Sequence, residues 1–291
     1  MSAPQLHTLT VKDNFSPQAA HTIAYTEWGD ANNPHVLFCV HGLSRNSRDF
    51  DILAEVMQED YRIICPDMPG RGRSEWLNDP LAYNYATYVA DCLSLLNTLG
   101  IRQVDWLGTS MGGLIGMLVA IQTPERIRKL ILNDVGPHLP VPALKRIQKY
   151  VGLDPRFKTL KEVEQHLRVV MAPFGIKEDA HWRHIAEHSS MVREDGLRSL
   201  AYDPAIVQAF QQDNMGEEAK DVELWHIWEQ ITQPTLVIRG EKSDILLSAT
   251  AEKMQATGPK AQLIEFSGIG HAPALMDMAQ IAAIHEWFNG Y

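Results

Sequence analysis

Residues 104–122 read VDWLGTSMGGLIGMLVAIQ. The apolar segment VDWL is typical of a buried strand, and the apolar segment after Gly113 is long enough for a helix. Between them, residues 108–112 match the pattern G-x-S-x-G, which in a strand-turn-helix context predicts a sharp turn that holds the Ser110 hydroxyl clear of a sheet. The flanking glycines permit the close backbone approach that such a turn needs. The pattern favours Ser110 as a nucleophile over a serine that only caps a helix.

Strand and helix patterns alternate on both sides of this turn. Strand patterns occur at residues 35–40, 61–65, 104–107, 130–132, 234–238 and 262–266, and helical patterns at residues 49–57, 85–99, 111–121, 248–255 and 275–288. Continuous apolar runs are typical of parallel strands covered on both faces and joined by crossover helices. Two alternating segments, 7–12 and 22–28, predict an antiparallel hairpin around the polar residues 14–18. We therefore expect an α/β protein with a mostly parallel central sheet flanked by helices.

Residues 135–230 contain no convincing strand pattern. They contain amphipathic helical segments at residues 144–151, 160–170, 179–192 and 206–211. We therefore predict an all-helical lid, inserted before the penultimate strand of the sheet. The core is then formed by residues 1–134 and 231–291.

A histidine follows the last predicted strand, in the sequence Gly268-Ile-Gly-His271-Ala-Pro. On a glycine-flanked loop its imidazole can reach over the sheet toward Ser110. Its ordinary pKa near 6.5 suits a group that accepts the serine proton and later donates it to a leaving group. We predict that His271 is the general base.

The acid that orients this imidazole should lie at the carboxyl end of another strand. Asp244 follows the strand PTLVIRG, and Asp134 follows the strand before it in the chain. We favour Asp244, because sheets with this type of nucleophile turn usually carry their acid there. Asp134 is the alternative, and is otherwise a turn or helix-cap residue.

The segment His41-Gly42-Leu43 follows the strand pattern HVLFCV. Acyl transfer requires backbone amides that point at the developing oxyanion. We assign this role to the amides of Leu43 and Met111, the latter because it follows the nucleophile. His41 is expected to fix the loop rather than to move protons.

Composition narrows the possible partners. The net charge is −10 and the sequence pI is about 5.6, which disfavours nucleic acid and anionic membranes, since both bind basic surfaces. No apolar run reaches the roughly 18 residues of a membrane span, and residues 1–10 lack the pattern of a secretory signal. We expect a cytoplasmic protein whose partner is a small-molecule ester.

A competing pattern lies in the predicted lid. His184-Ile-Ala-Glu187-His188 matches H-x-x-E-H, a spacing found in zinc peptidases. A zinc site would also need a downstream carboxylate, and it would leave Ser110 and His271 without a role. We therefore expect no metal and no other cofactor, with these residues on the polar face of a lid helix.

The segments HGLS, DMPGRGRS, GTSMGG, GEKSD and GIGHAP occur in this order along the chain. In this respect the sequence resembles the α/β-hydrolase superfamily over essentially its whole length, and specifically a bacterial, carboxylesterase-like branch. The resemblance implies a monomeric or homodimeric serine hydrolase that cleaves esters of small to medium acyl groups through an acyl-enzyme. Hydrolases of C–C bonds in ring-cleavage products are the first alternative, although they usually have Asn where this chain has Thr109 and Trp shortly after the histidine. A binding protein of the same fold with little turnover is the second alternative.

Overall fold

The computed structural model describes residues 3–12, 20–214 and 220–290. Its strands are β1 (Gln5–Lys12), β2 (Ala20–Trp28), β3 (Val36–Val40), β4 (Arg62–Pro66), β5 (Val104–Thr109), β6 (Ile127–Asn133), β7 (His138–Leu139), β8 (Ser190–Val192), β9 (Arg198–Leu200), β10 (Val222–Glu223), β11 (Thr235–Gly240) and β12 (Gln262–Phe266). Its α-helices are α1 (Asp51–Met57), α2 (Tyr85–Thr98), α3 (Met111–Gln122), α4 (Val141–Gln148), α5 (Leu160–Val170), α6 (Asp179–His188), α7 (Ile206–Asn214), α8 (Trp225–Trp228), α9 (Ser248–Ala256) and α10 (Met278–Asn289). Among the described helices, none is both long enough and apolar enough to cross a membrane.

Eight strands form one sheet in the order β1-β2-β4-β3-β5-β6-β11-β12. The pairs β1/β2 and β2/β4 are antiparallel, and the other neighbouring pairs of this sheet are parallel. The predicted mostly parallel sheet with its N-terminal hairpin is thereby confirmed, while the predicted turn at residues 14–18 falls outside the described residues. Because parallel strands end at one edge of a sheet, the loops that follow β3, β5, β6, β11 and β12 meet there.

The central strands are buried on both faces. Phe38 and Trp106 belong to the apolar cluster on one face, together with side chains of α2 and α3. Leu37 and Leu107 belong to the opposite cluster, together with side chains of α1 and α10. Successive side chains of a strand point to opposite faces, so a sheet covered by helices on both sides requires continuous apolar strands. This explains why the runs in the sequence predicted the sheet so directly.

The last helix begins later than its apolar periodicity predicted. The pattern starts at Leu275, but Leu275 has a φ of +57°, which is not helical. Two residues on, the Asp277 carboxylate accepts a hydrogen bond from the Ala279 amide and caps the helix. A cap of this kind satisfies an amide that lacks a partner within the helix. The helix therefore begins at Met278.

Residues 135–230 lie between β6 and β11 and carry α4 to α8. They also contain two small sheets, β7 with β10 and β8 with β9, so the expectation of an all-helical insertion was wrong. The strands in these sheets have two or three residues each, which is too short to show an alternating pattern. We call residues 135–230 the lid.

The loop of residues 67–74, DMPGRGRS, joins the lid to the sheet. The Gly72 amide donates to the Ala201 carbonyl at 2.8 Å, and the Asp203 amide donates to the Gly70 carbonyl at 2.7 Å. The carboxylate of Asp203 also accepts a hydrogen bond of 2.6 Å from the Tyr83 hydroxyl. One loop thus fixes a lid segment next to the edge of the sheet where the strands end.

Candidate active site

Ser110 occupies the sharp turn between β5 and α3. Its φ of 52° and ψ of −114° are strained for a residue with a side chain, and such strain concentrates at functional sites. The turn brings backbones very close together. A Cβ on Gly108 would lie 2.2 Å from the Gly112 carbonyl oxygen, and one on Gly112 would lie 2.0 Å from that of Val40. Only glycine fits at both positions, which is the reason for the predicted G-x-S-x-G spacing.

The imidazole of His271 joins this serine to an acid. Its Nε2 lies 3.0 Å from the Ser110 Oγ, and its Nδ1 lies 2.7 Å from a carboxylate oxygen of Asp134. The carboxylate accepts the Nδ1–H, which leaves the Nε2 lone pair free to accept the serine proton. The structure therefore brings together the predicted nucleophile and the predicted base.

The acid in this arrangement is Asp134, and not Asp244 as the sequence analysis predicted. Asp134 is completely buried at the end of β6. One of its oxygens accepts a hydrogen bond of 2.8 Å from the Gly240 amide. The other accepts hydrogen bonds from the Ser243 hydroxyl, at 2.6 Å, and from His271. These donors hold the carboxylate in one orientation toward the imidazole.

Asp244 has a different partner. Its carboxylate forms a two-point ion pair with Arg146 of α4, at 2.5 and 2.8 Å, and about half of its side chain is exposed. β6 and β11 are neighbours in the sheet, so both acids follow strands that end side by side. Sequence position alone does not separate two such candidates. The loop after β11 supplies Ser243 to support the acid, while Asp244 connects this loop to the lid.

His41 fixes the loop that follows β3. It is fully buried, its Nε2 accepts the Met68 amide at 2.9 Å, and its Nδ1 donates to the Gly42 carbonyl at 2.7 Å. Burial lowers the pKa of His41 to about 3, so the ring is neutral at physiological pH. The imidazole thus links this loop to the 67–74 loop.

The amides of Leu43 and Met111, predicted to bind the oxyanion, belong to residues that border the cavity next to Ser110. Within the described part of the chain, neither amide donates a hydrogen bond to a protein acceptor. Two amides without partners beside a nucleophile are what an oxyanion site requires. Their role as oxyanion donors remains a prediction.

Arg71, in the 67–74 loop, supports this region and was not identified from the sequence. Its guanidinium is fully buried and donates to the Leu43 carbonyl at 2.8 Å, to the Pro69 carbonyl at 2.7 Å and to the Tyr88 hydroxyl at 2.8 Å. It also lies over the rings of Tyr83 and Tyr88, 5.6 and 5.1 Å from their centroids. No carboxylate among the described residues pairs with it. The only signal in the sequence was an arginine between two glycines of a turn-rich loop.

The comparison with protein families agrees with this geometry. The sequence model for the alpha/beta hydrolase fold matches residues 34–276. The chain belongs to the α/β-hydrolase family.

Several relatives of this hydrolase are known. The 3-hydroxybutyrate-oligomer hydrolase of Cupriavidus necator is 44% identical over 279 residues, which cover 94% of this chain and 95% of that protein. The 2-hydroxymuconate semialdehyde hydrolase of Pseudomonas putida is 26% identical over 242 residues, covering 78% of this chain and 76% of that protein. The crystal structure of an α/β hydrolase from Novosphingobium aromaticivorans has a TM-score of 0.86 at 33% identity and covers 100% of both chains.

Two cavities of the hydrolase meet at Ser110. The first has a volume of about 120 Å³, and Gly42, His271 and the lid residues Arg146 and Tyr150 are among the residues that line it. The second has a volume of about 340 Å³ and lies between α3 and the lid. Ser110 and Leu43 border both cavities. Ser110, the predicted nucleophile, therefore lies where two cavities meet and not at the end of a single pocket.

The histidines of the H-x-x-E-H segment are not among the described residues that border either cavity, although Ile185 between them borders the first. The nitrogens of His184 and His188 and a carboxylate oxygen of Asp51 lie within 4.8 Å of one another, an arrangement that could hold a metal ion. All three groups, however, already bind Arg48. Its guanidinium donates to Asp51 at 2.6 Å and lies 3.2 Å from His188 Nδ1, and its carbonyl accepts from His184 at 3.1 Å. Glu187, the base that a zinc peptidase would need, is exposed at the surface.

The pKa values of the two histidines are shifted in opposite directions. Burial, together with the neighbouring Arg48 cation, lowers the pKa of His188 to about 4. Burial also lowers the pKa of His184, but hydrogen bonds to Asp51 and to the Arg48 carbonyl outweigh this effect, so the pKa of His184 is raised. His188 Nδ1 accepts a hydrogen bond from the Arg48 guanidinium, and His184 Nε2 donates to the Arg48 carbonyl and lies 3.3 Å from the Asp51 carboxylate. This cluster anchors α6 of the lid to the 3₁₀ turn before α1.

Proposed function

We propose that this hydrolase is a serine esterase that cleaves carboxylic esters of small to medium acyl groups through an acyl-enzyme at Ser110. The observation that carries the proposal is the hydrogen-bonded series from the Ser110 Oγ through His271 to the buried Asp134, with distances of 3.0 and 2.7 Å. This geometry provides a nucleophile, a base in the correct tautomer and an acid that holds the base.

In the first half of the reaction, the Ser110 Oγ attacks the ester carbonyl carbon while His271 Nε2 takes its proton. The carbonyl oxygen becomes an oxyanion, to which the Leu43 and Met111 amides donate hydrogen bonds. The tetrahedral intermediate then collapses, and the bond to the alkoxy oxygen breaks. His271 donates its proton to that oxygen, so the alcohol leaves neutral and an acyl-Ser110 ester remains.

In the second half, water replaces the alcohol. His271 Nε2 takes a proton from the water, whose oxygen attacks the acyl-serine carbonyl. When the second intermediate collapses, the proton returns to the Ser110 Oγ and the carboxylic acid is released. Asp134 stabilises the imidazolium in both halves of the cycle.

Esters of short hydroxy acids are the substrates that the comparisons favour. The relative at 44% identity, which aligns over 95% of its own length, is a 3-hydroxybutyrate-oligomer hydrolase. In a linear oligomer of this type each linkage is an ester whose alcohol is itself a small hydroxy acid. The first cavity, which Arg45 and Arg146 border together with the Arg45 partner Asp49, offers polar groups to such an ester.

Hydrolysis of a C–C bond is the competing function, and the relative at 26% identity acts on 2-hydroxymuconate semialdehyde. Thr109 and Ala272-Pro273 depart from the residues usual in C–C hydrolases. We therefore place ester hydrolysis first and C–C hydrolysis second.

The test is steady-state and burst kinetics on p-nitrophenyl butanoate, a linear 3-hydroxybutyrate dimer and a vinylogous diketone. We expect turnover of both esters, a burst of p-nitrophenol from the aryl ester, and no turnover of the diketone. Ser110→Ala should abolish turnover, whereas Ser248→Ala, at an exposed serine of α9, should leave it unchanged. A chelator should have no effect. Full ester turnover in Ser110→Ala would contradict the proposal, and a burst without further turnover would indicate a binding protein.

A further inference from the structure

The second cavity differs from the first in its chemistry. Residues from α3 and from the lid line it, and apart from Ser110 and Tyr85 the described residues around it are apolar. Its floor includes Met117 and Leu118, and its lid side includes Leu144, Phe210 and Ile227. No charged side chain borders it among the described residues. Burying a carboxylate or an ammonium group there would be strongly unfavourable, so the cavity selects uncharged apolar groups.

The position of His271 distinguishes the two cavities. His271 borders the first cavity, together with Ala272 and Pro273, and is not among the described residues that border the second. Leu43 and Met111 border the second cavity at the mouth that it shares with Ser110. The general base therefore faces the first cavity only.

The stereochemistry of ester cleavage then assigns the two halves of the substrate. The tetrahedral carbon carries the Ser110 Oγ, the oxyanion, the alkoxy oxygen and the acyl chain. The oxyanion points at the Leu43 and Met111 amides, and the alkoxy oxygen must lie within reach of the proton on His271. Because His271 faces the first cavity, the alcohol leaves into that cavity. The remaining substituent, the acyl chain, points into the second.

We propose that the second cavity is the acyl-binding site of this hydrolase and that it takes an uncharged acyl chain of up to about ten carbons. This assignment rests on the proposed esterase function. Its length limit follows from volume. A cavity of about 150 Å³ holds benzene, with six carbons, so the cavity of about 340 Å³ has room for roughly twice that number, less the space that imperfect packing leaves empty. An acetyl group would leave most of this apolar volume unfilled.

The experiment compares p-nitrophenyl esters of two, four, six, eight, ten and sixteen carbons, so that the alcohol stays constant. We expect kcat/KM to rise at least tenfold between the two-carbon and the eight-carbon ester, because each buried methylene adds up to about a fourfold gain. Beyond about ten carbons kcat/KM should fall. A second series varies the alcohol of butanoate esters and reports on the first cavity.

Two substitutions separate the cavities. Leu118→Trp fills the second cavity from α3, and should lower kcat/KM for the eight-carbon ester at least tenfold while changing that for the two-carbon ester by less than about threefold. Phe210→Ala enlarges the same cavity and should move the optimum to a longer chain. Leu153→Trp, at a largely exposed lid residue that borders the first cavity, is the matched control. It should change the alcohol series and leave the acyl profile as it was.

Each outcome has a distinct meaning. Labelling of Ser110 by a fluorophosphonate shows that a variant is folded, so a loss of activity on long esters alone cannot be attributed to unfolding. An active wild type whose profile is flat, or whose acyl profile responds to Leu153→Trp and not to Leu118→Trp, would overturn the cavity assignment and leave the esterase function intact. Failure of every ester to turn over, with no labelling of Ser110, would overturn both.

Discussion

The Ser243 hydroxyl donates a hydrogen bond of 2.6 Å to the carboxylate of Asp134. Ser243 belongs to the loop after β11, and Asp134 follows the neighbouring strand β6. The same serine oxygen also accepts the Leu246 amide at 3.0 Å, so the loop is folded around it. A loop that could have carried the acid instead holds the acid of the next strand in place. The aspartate that binds both Ser243 and His271 is Asp134.

Asp134 and Asp244 provide a matched pair of substitutions. Asp134→Asn keeps the size of the side chain but removes the charge that orients His271, and should lower kcat by about 10³- to 10⁴-fold. Asp244→Asn weakens a half-exposed ion pair with Arg146, and such pairs contribute about 0–1 kcal/mol to stability. Its kcat should stay within about threefold of the wild type. Steady-state kinetics on one ester checks both, and equal losses in the two variants would refute the assignment of the acid.

We expect Arg71 to support catalysis by positioning the backbone of Leu43. Arg71→Met removes the donor that holds the Leu43 carbonyl. The amide of the same residue, Leu43, should then lose its alignment with the oxyanion. We expect kcat to fall about tenfold or more with KM little changed, since loss of an oxyanion donor itself costs about 10²-fold. Arg71→Lys should recover part of the loss.

Arg73, an exposed residue of the same loop, is the control for this substitution. Arg73→Met should leave kcat unchanged, and thermal unfolding of both variants shows whether stability accounts for any loss. An Arg71→Met enzyme with normal kcat would show that Arg71 only supports the fold.

The protein should lose stability in mild acid. The pKa of His41 is lowered to about 3 and that of His188 to about 4, both below the ordinary value near 6.5. Between pH 6.5 and 4 the unfolded chain therefore binds protons that the folded protein does not. As the pH is lowered through this range, the free energy of unfolding decreases. His184, with a raised pKa, opposes this trend, since its contribution is present below pH 6.5 and is lost as the pH rises through its folded pKa.

Urea unfolding at pH 7.5, 6.5, 5.5 and 4.5 measures this effect. The fully buried His41 alone should lower the free energy of unfolding by about 2 kcal/mol between pH 6.5 and 5. His188→Asn should make the dependence less steep. A free energy of unfolding that is constant or increases toward pH 4.5 would be inconsistent with the lowered pKa values of His41 and His188.

The sheet could be predicted because the requirement for apolar residues applies within each strand separately. A parallel strand covered by helices on both faces must be apolar at every position, and this appears directly in runs such as residues 35–40. The turn at Ser110 was predictable for a related reason, because a Cβ at position 108 or 112 would lie 2.2 or 2.0 Å from a backbone carbonyl oxygen, which leaves room for glycine alone. These requirements are visible in a single segment of sequence.

The acid and the small lid strands were not predictable in this way. Asp134 and Asp244 both follow buried strands, and what separates them is the register of β6 against β11 and the direction in which the Ser243 hydroxyl points. The pairing of β8 with β9 depends on three residues from each strand. Arg71 could not be identified from the sequence, because its contact with the Leu43 carbonyl joins residues 28 positions apart. Each of these features depends on tertiary contacts, which produce no periodic pattern in the sequence.

Peptide mass mapping of the enzyme quenched during turnover of p-nitrophenyl butanoate tests the central claim most directly. We expect the mass of one butanoyl group on the peptide that contains Ser110, with slower accumulation in Asp134→Asn and wild-type accumulation in Asp244→Asn. A butanoyl group found on another residue, or turnover without any covalent adduct at Ser110 under conditions that show a burst, would contradict the account.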